Sequence, residues 1–182
     1  MNYTLSSKPI TDIKADCLTV ALPEKGNWPT STTQADQALG GLITALHKNG
    51  DATGKNATTS LVPLTDQPWN RLLIIGTGTD SDRSPANYRK ALIAAAGQIK
   101  DGPSKHVLMA LSDTALIGTD AAVSEESKLN LIGRILEDQS YRFSGFKSEK
   151  LTEPIEAHPQ GLVRHRLHRI RKSIGKERTF SE

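Results

Sequence analysis

Arg71-Leu72-Leu73-Ile74-Ile75-Gly76-Thr77-Gly78 is the stretch that decides the fold class of this 182-residue chain. Four consecutive aliphatic residues, bounded by an arginine and a glycine, suit a strand buried on both faces. That pattern belongs to a parallel or mixed sheet with helices above and below it. A polar turn follows, and then a helix opening at Ser84-Pro85, with a serine N-cap and a proline in the first helical position. The unit is strand, turn, helix. In open α/β sheets ligands settle beyond the carboxyl ends of such strands, which makes the loop from Gly76 to Ser84 the first place to look for function.

Two more apolar runs extend the sheet in either direction. Asp16 to Leu22 reads as a buried strand stopped by Pro23, and His106 to Leu111 as another. Thr58 to Leu64 is a fourth candidate, and Tyr3 to Ser6 a short edge strand. Between them, residues 24–32 read as a loop around Trp28-Pro29. A single helix is expected next, with Thr33 and Asp36 at capping-box spacing, an apolar stripe of Ala35, Leu39, Leu42, Ile43 and Leu46, and a stop at Asn49-Gly50. Tyr88, Ala91, Leu92, Ala95 and Ile99 mark the helix after Pro85, which ends at Asp101-Gly102-Pro103. A last helix is expected over 124–139. Strands alternating with helices imply a three-layer α/β/α mixed sheet.

Composition narrows the class. With 36% hydrophobic and 24% charged residues the chain is neither membrane-spanning nor collagen-like. No stretch nears the ~18 apolar residues of a membrane span, and the first ten residues lack the apolar core of a signal peptide. Cys17 is the lone cysteine, so no internal disulfide forms; a cytoplasmic location is expected. Opening an apolar run, Cys17 reads as a small core residue rather than a nucleophile. The net charge of +3 is unevenly spread: residues 161–182 carry seven Lys and Arg against two Glu. The other 160 residues carry 16 basic and 18 acidic groups, so the body is slightly acidic.

The motifs that would carry chemistry fall short. Gly76-Thr77-Gly78 starts a dinucleotide fingerprint, but Ser81 stands at the third glycine position, and no Gly-Lys-Ser/Thr phosphate loop follows. A tight strand-to-helix connection needing glycine's backbone freedom is the favoured reading. Asp80 and Asp82 read as turn formers or cap partners. His47, near a helix carboxyl end, is given no catalytic role. His158, His165 and His168 sit in the basic tail without carboxylate partners and are not read as a metal site. No catalytic, cofactor-binding or metal-ligating residue is assigned, because no nucleophile, base and orienter can be assembled.

Four segments together resemble one known family. They are ALGGLITALHKNGDATGKNATTSLVPL (38–64), RLLIIGTG (71–78), NYRKALIAAAGQIK (87–100) and GRILEDQSYRFSGFKSEK (133–150). Tyr141-Arg142-Phe143 followed by Phe146-Lys147-Ser148 is the most specific. The resemblance is to the N-terminal domain of the leucyl (cytosol) aminopeptidases, the M17 metallopeptidases. It covers about residues 1–155 and implies a macro-domain-like mixed sheet. In that family two divalent metals, manganese or zinc, are held by a separate C-terminal domain with an NTDAEGR-type motif. These 182 residues contain no such motif, so the resemblance transfers no catalytic or metal position. The partners it implies are a catalytic domain and the sister subunits of a hexamer, with DNA binding in some bacterial members.

Beyond about Pro154 the resemblance stops. Residues 156–182 are read as a basic tail with little order, explained by a shifted or truncated reading frame in preference to a nucleic-acid-binding arm. The leading functional expectation is a non-catalytic N-terminal domain of a leucyl aminopeptidase, inactive alone, with an oligomerisation or regulatory role. A DNA-binding module using residues 158–182 comes second. A macro-like domain binding an ADP-ribose-type ligand at the Gly76 to Ser84 loop comes third.

Overall fold

The computed structural model describes residues 3–116, 124–140 and 156–159. Its centre is a five-stranded sheet in the order β2-β3-β1-β4-β5. The strands are β1 (Ala15–Pro23), β2 (Thr59–Pro63), β3 (Trp69–Gly78), β4 (His106–Ala110) and β5 (Glu156–Pro159). β1 lies parallel to both β3 and β4, and β5 lies parallel to β4; only β2 is antiparallel, to β3. The sheet is therefore mixed, as expected.

The aliphatic run in β3 is continuous because both of its faces are covered. Leu73 and Ile75 join one core with Cys17 and Ala21 of β1, Val107 and Met109 of β4, and the inner sides of α3 (Pro85–Asp101) and α4 (Glu125–Ser140). Leu72 and Ile74 join the other core with Leu18, Val20 and Leu22 of β1, Leu108 and Ala110 of β4, and two short helices, α1 (Thr30–Ala38) and α2 (Leu42–Asn49). The strand periodicity of two thus deals alternate side chains to two helical layers. Each of the four β3 aliphatics is at most 2% exposed. At about 1.5–3 kcal/mol per buried side chain, β3 alone anchors both layers.

Several sequence readings are corrected. The single helix expected through 33–49 is two helices, because Gly40 and Gly41 take φ of +65° and +85° and turn the chain. The first of them begins at Thr30, inside the stretch read as a loop, directly after Pro29. Thr33 and Asp36 form no capping box. Thr33 Oγ1 donates to the Pro29 carbonyl, while Asp36 accepts hydrogen bonds from the backbone N–H (3.0 Å) and hydroxyl of Thr44, in the first turn of α2. Asp36 therefore caps the second helix instead of the first.

Other differences lie at the ends of strands. Pro23 pairs with Gly78 across a register shift and so lies inside β1. β3 starts at Trp69, whose buried indole donates to the Ile13 carbonyl at 3.0 Å. Tyr3 and Ser6 form isolated bridges rather than a strand. β5 is drawn from the first residues assigned to the basic tail, so the sheet takes in Glu156–Pro159. Residues 141–155 and 160–182, including Tyr141 to Ser148, His165 and His168, lie outside the described residues.

Candidate functional site

The loop after β3 is a self-satisfied turn. Gly76 presses against its neighbours so closely that a Cβ there would overlap the Lys55 carbonyl and the Thr58 hydroxyl. Gly78 has φ +79°, and a Cβ on it would come within 2.6 Å of Asp82. The Gly78 N–H donates to Gly54 O at 2.8 Å, and the Thr79 N–H donates to Asp82 Oδ2 at 3.0 Å. Thr79 and Asp82 close a capping box, with the Thr79 hydroxyl also donating to Asp82 at 2.8 Å. These hydrogen bonds, the Thr79 N–H first, hold the Asp82 carboxyl below the usual range. Asp80 pairs with Arg83 at 3.0 Å, and the Arg83 guanidinium reaches Lys25 O. Both aspartates thus serve the turn, as their positions suggested. With those amides engaged and two carboxylates at its rim, the loop offers a phosphate little.

A pocket lies instead at the carboxyl end of β4, on the other side of β1. It encloses about 360 Å³ between Ser6 to Pro9, the start of α1 (Thr30, Ser31, Gln34), the end of β4 (Ala110, Ser112, Asp113) and Glu125 at the start of α4. The chain after β1 leaves toward the α1/α2 layer, and the chain after β4 toward the α3/α4 layer. Adjacent parallel strands whose connections diverge in this way open a crevice at their carboxyl ends.

Asp113 organises the crevice. Its Oδ2 accepts from the Ser31 N–H at 2.7 Å and its Oδ1 from the Ser31 hydroxyl at 2.9 Å. That hydroxyl has one proton, which it divides between Asp113 and the Ala110 carbonyl at 3.1 Å. Pro29, at the N-cap of α1, supplies no side-chain acceptor, so a carboxylate 82 residues away takes over one of the helix's open N–H groups. The negative charge also suits the positive end of the helix dipole.

Behind Asp113 the strand end is held from below. Tyr88 donates to the Leu111 carbonyl at 2.9 Å, and Lys128, 7% exposed, donates to the Thr114 carbonyl at 3.0 Å. Burial pushes the Lys128 ammonium below the usual lysine range, against the pull of Glu125 and Asp113. Burial, with Asp113 adding to it, raises the Tyr88 phenol.

The Ser31–Asp113 pair is a cap and not a catalytic dyad. His106 stands at the amino end of β4, against Asp16, and His47 hydrogen-bonds Ala52 O at 2.8 Å beside Trp28. Neither of these two imidazoles reaches the pocket, so neither His47 nor His106 serves Ser31 as a base. Among the described residues no three His, Cys, Asp or Glu side chains come together as metal ligands. Cys17 is 2% exposed in the α3/α4 core, and burial pushes its thiol up to about 11, an inert position. Ser31, Asp113 and Lys128 were not singled out from the sequence. The signal in the sequence is Ser112-Asp113, a polar pair directly after a buried strand.

Known proteins are similar to this chain in sequence and in fold. The sequence profile of the cytosol aminopeptidase family's N-terminal domain matches residues 19–150. The cytosol aminopeptidase of Pseudomonas aeruginosa is 31% identical over 157 residues, 86% of this chain and 31% of that protein. A probable cytosol aminopeptidase of Xylella fastidiosa is 34% identical over 124 residues, 67% of this chain and 25% of that protein. The chain thus spans about a third or less of the relatives it matches. In three dimensions it is similar to a mutant of tomato leucine aminopeptidase, at TM-score 0.64 and 22% identity, over 90% of this chain and 33% of that one. It also resembles the macrodomain of Mycobacterium tuberculosis DarG, at TM-score 0.63 and 10% identity, over 89% of this chain and 99% of that one. At such identities the structural likenesses speak to the fold, which is macro-domain-like. With the profile covering most of the folded body, this chain belongs to the cytosol aminopeptidase family and carries that family's N-terminal domain.

Proposed function

We propose that this chain acts as the non-catalytic N-terminal domain of a leucyl aminopeptidase, supporting assembly or regulation of a metal-dependent catalytic domain that removes N-terminal residues from peptides. The observation that carries the reading is the family match over 19–150 in a chain spanning about a third of its relatives' length. Its polar groups support it too: Ser31, Asp113, Asp36, Asp80 and Asp82 are engaged in caps and turns, a scaffolding use of carboxylates. Manganese or zinc would belong to the catalytic domain.

A chimera tests this. Residues 1–155 replace the matching segment of the Pseudomonas aeruginosa relative, and the product is assayed for manganese-dependent leucine release and for assembly state. Active multimers equal in size to the parent support the reading. A folded chimera that stays monomeric, with activity like that of the relative lacking the segment, overturns it. DNA contact through 158–182 is the second reading, favoured by the seven Lys and Arg in 161–182. Deletion of residues 160–182, which leaves β5 intact, should then abolish DNA retention, with the loss strongest at low salt.

A further inference from the structure

We propose that the outer edge of β2 pairs with β2 of a second copy of this chain, antiparallel and across a two-fold axis at Ser60. β2 is an end strand of the sheet, and its hydrogen bonds to β3 show which of its backbone groups face out. The Gly76 N–H donates to Thr58 O and the Leu64 N–H to Asn70 O, both at 2.8 Å. With Ser60 opposite Ile74 and Val62 opposite Leu72, residues 58, 60, 62 and 64 turn their backbone groups toward β3. Thr59, Leu61 and Pro63 turn theirs away from it. Among the described residues no strand takes these groups up. Pro63 has no N–H, so the open run is Thr59 to Leu61, with one donor and one acceptor at each end.

A run of this form is complementary to itself. Set antiparallel about Ser60, Thr59 of one copy faces Leu61 of the other, and two such pairs close four main-chain hydrogen bonds. Leu61, 44% exposed, lies opposite Leu73 of β3 and so projects on the α3 side of the sheet. Across the axis the two Leu61 side chains become diagonal neighbours and cover each other. Charge selects the orientation. Lys55 precedes β2 and Asp66 follows it, both exposed. Antiparallel pairing brings Lys55 of each copy toward Asp66 of the other, whereas parallel pairing sets like charges together. A foreign strand has no built-in match to these charges, and so short an edge gives it little main-chain affinity. The pairing is a property of this chain alone, so its outcome does not depend on the peptidase reading.

The test is sedimentation equilibrium of the full 182-residue chain from about 5 µM to 1 mM, a range that brackets weak association. The paired face is small, so a reversible dimer with a dissociation constant of about 10–500 µM is expected. Amide exchange at both ends of the range should show Thr59 and Leu61 slowed at least about twofold at the higher concentration. L61K, which places a charge beside the axis, should weaken the dimer at least about tenfold. K55E should weaken it about threefold or more, and D66N about twofold; asparagine tolerates the φ of 57° at Asp66. In the K55E background D66N should instead strengthen association, because it removes the repulsion that K55E introduces. All three positions are exposed, so folding is not at stake. The proposal is overturned by a chain that stays monomeric to 1 mM, or by a dimer whose Thr59 and Leu61 amides gain no protection. L61K dimerising like the parent, or a D66N effect that does not reverse its sign, overturns it equally.

Discussion

Gly76 and Gly50 are glycines for different physical reasons, and substitution separates them. Gly76 has no space: a Cβ would overlap the Lys55 carbonyl, which the Thr58 N–H and hydroxyl hold in the turn leading into β2. Gly50 has open space but φ +86°, a conformation that costs an L-residue about 1–2 kcal/mol. G76A should therefore lose at least about 3 kcal/mol in urea unfolding and G50A only about 1 kcal/mol; equal losses would contradict the packing described. Cys17 gives a chemical check at the same scale. Buried, with its thiol pushed up to about 11, it should react with a thiol reagent at neutral pH only as the chain unfolds. Rapid labelling of the native protein would place it elsewhere.

Asp16 predicts a pH dependence. Its carboxylate accepts from the Lys105 and His106 N–H groups, both at 2.9 Å, tying β1 to the start of β4. The His106 N–H bond is the main reason its pKa falls below the ordinary value of 3.8. A depressed folded-state pKa stabilises the fold above the unfolded value, and that stabilisation disappears as pH falls through the folded one. D16N should thus lower the urea midpoint at pH 7, and the gap to the parent should close progressively below about pH 4. A gap of equal size at pH 7 and pH 2.5 would contradict the assignment.

At the scale of elements, the helix termini divide into local and borrowed caps. α3 is capped by its own Ser84, whose hydroxyl accepts from the Asn87 N–H, and this start was legible because serine, proline and helix are adjacent in sequence. α1 and α2 are capped by Asp113 and Asp36, 82 and 8 residues from the N–H groups they accept. No short-range pattern reveals such caps: the sequence spacing predicts a capping box at Thr33 and Asp36 and a helix running on through Gly40-Gly41, where the structure has a borrowed cap and a break. D113A should cost about 1–2 kcal/mol and D36A about 1 kcal/mol, with D113N largely preserving stability, measured by denaturant midpoints. The strands were easier to read, because burial on two faces writes itself as unbroken apolar runs in β1, β3 and β4. The pocket was not legible, since its lining comes from four separated segments brought together by the parallel pairing of β1 and β4.

For the molecule as a whole, the sheet, its two helical layers and the family match describe a domain whose charged side chains hold turns and helix ends together. Nothing among the described residues brings three metal-ligating side chains into one place. The most direct measurement is release of leucine from leucinamide by the purified 182-residue chain with manganese or zinc added. The expected rate is indistinguishable from the protein-free blank. Metal-dependent release that follows this chain through successive purification steps would contradict it.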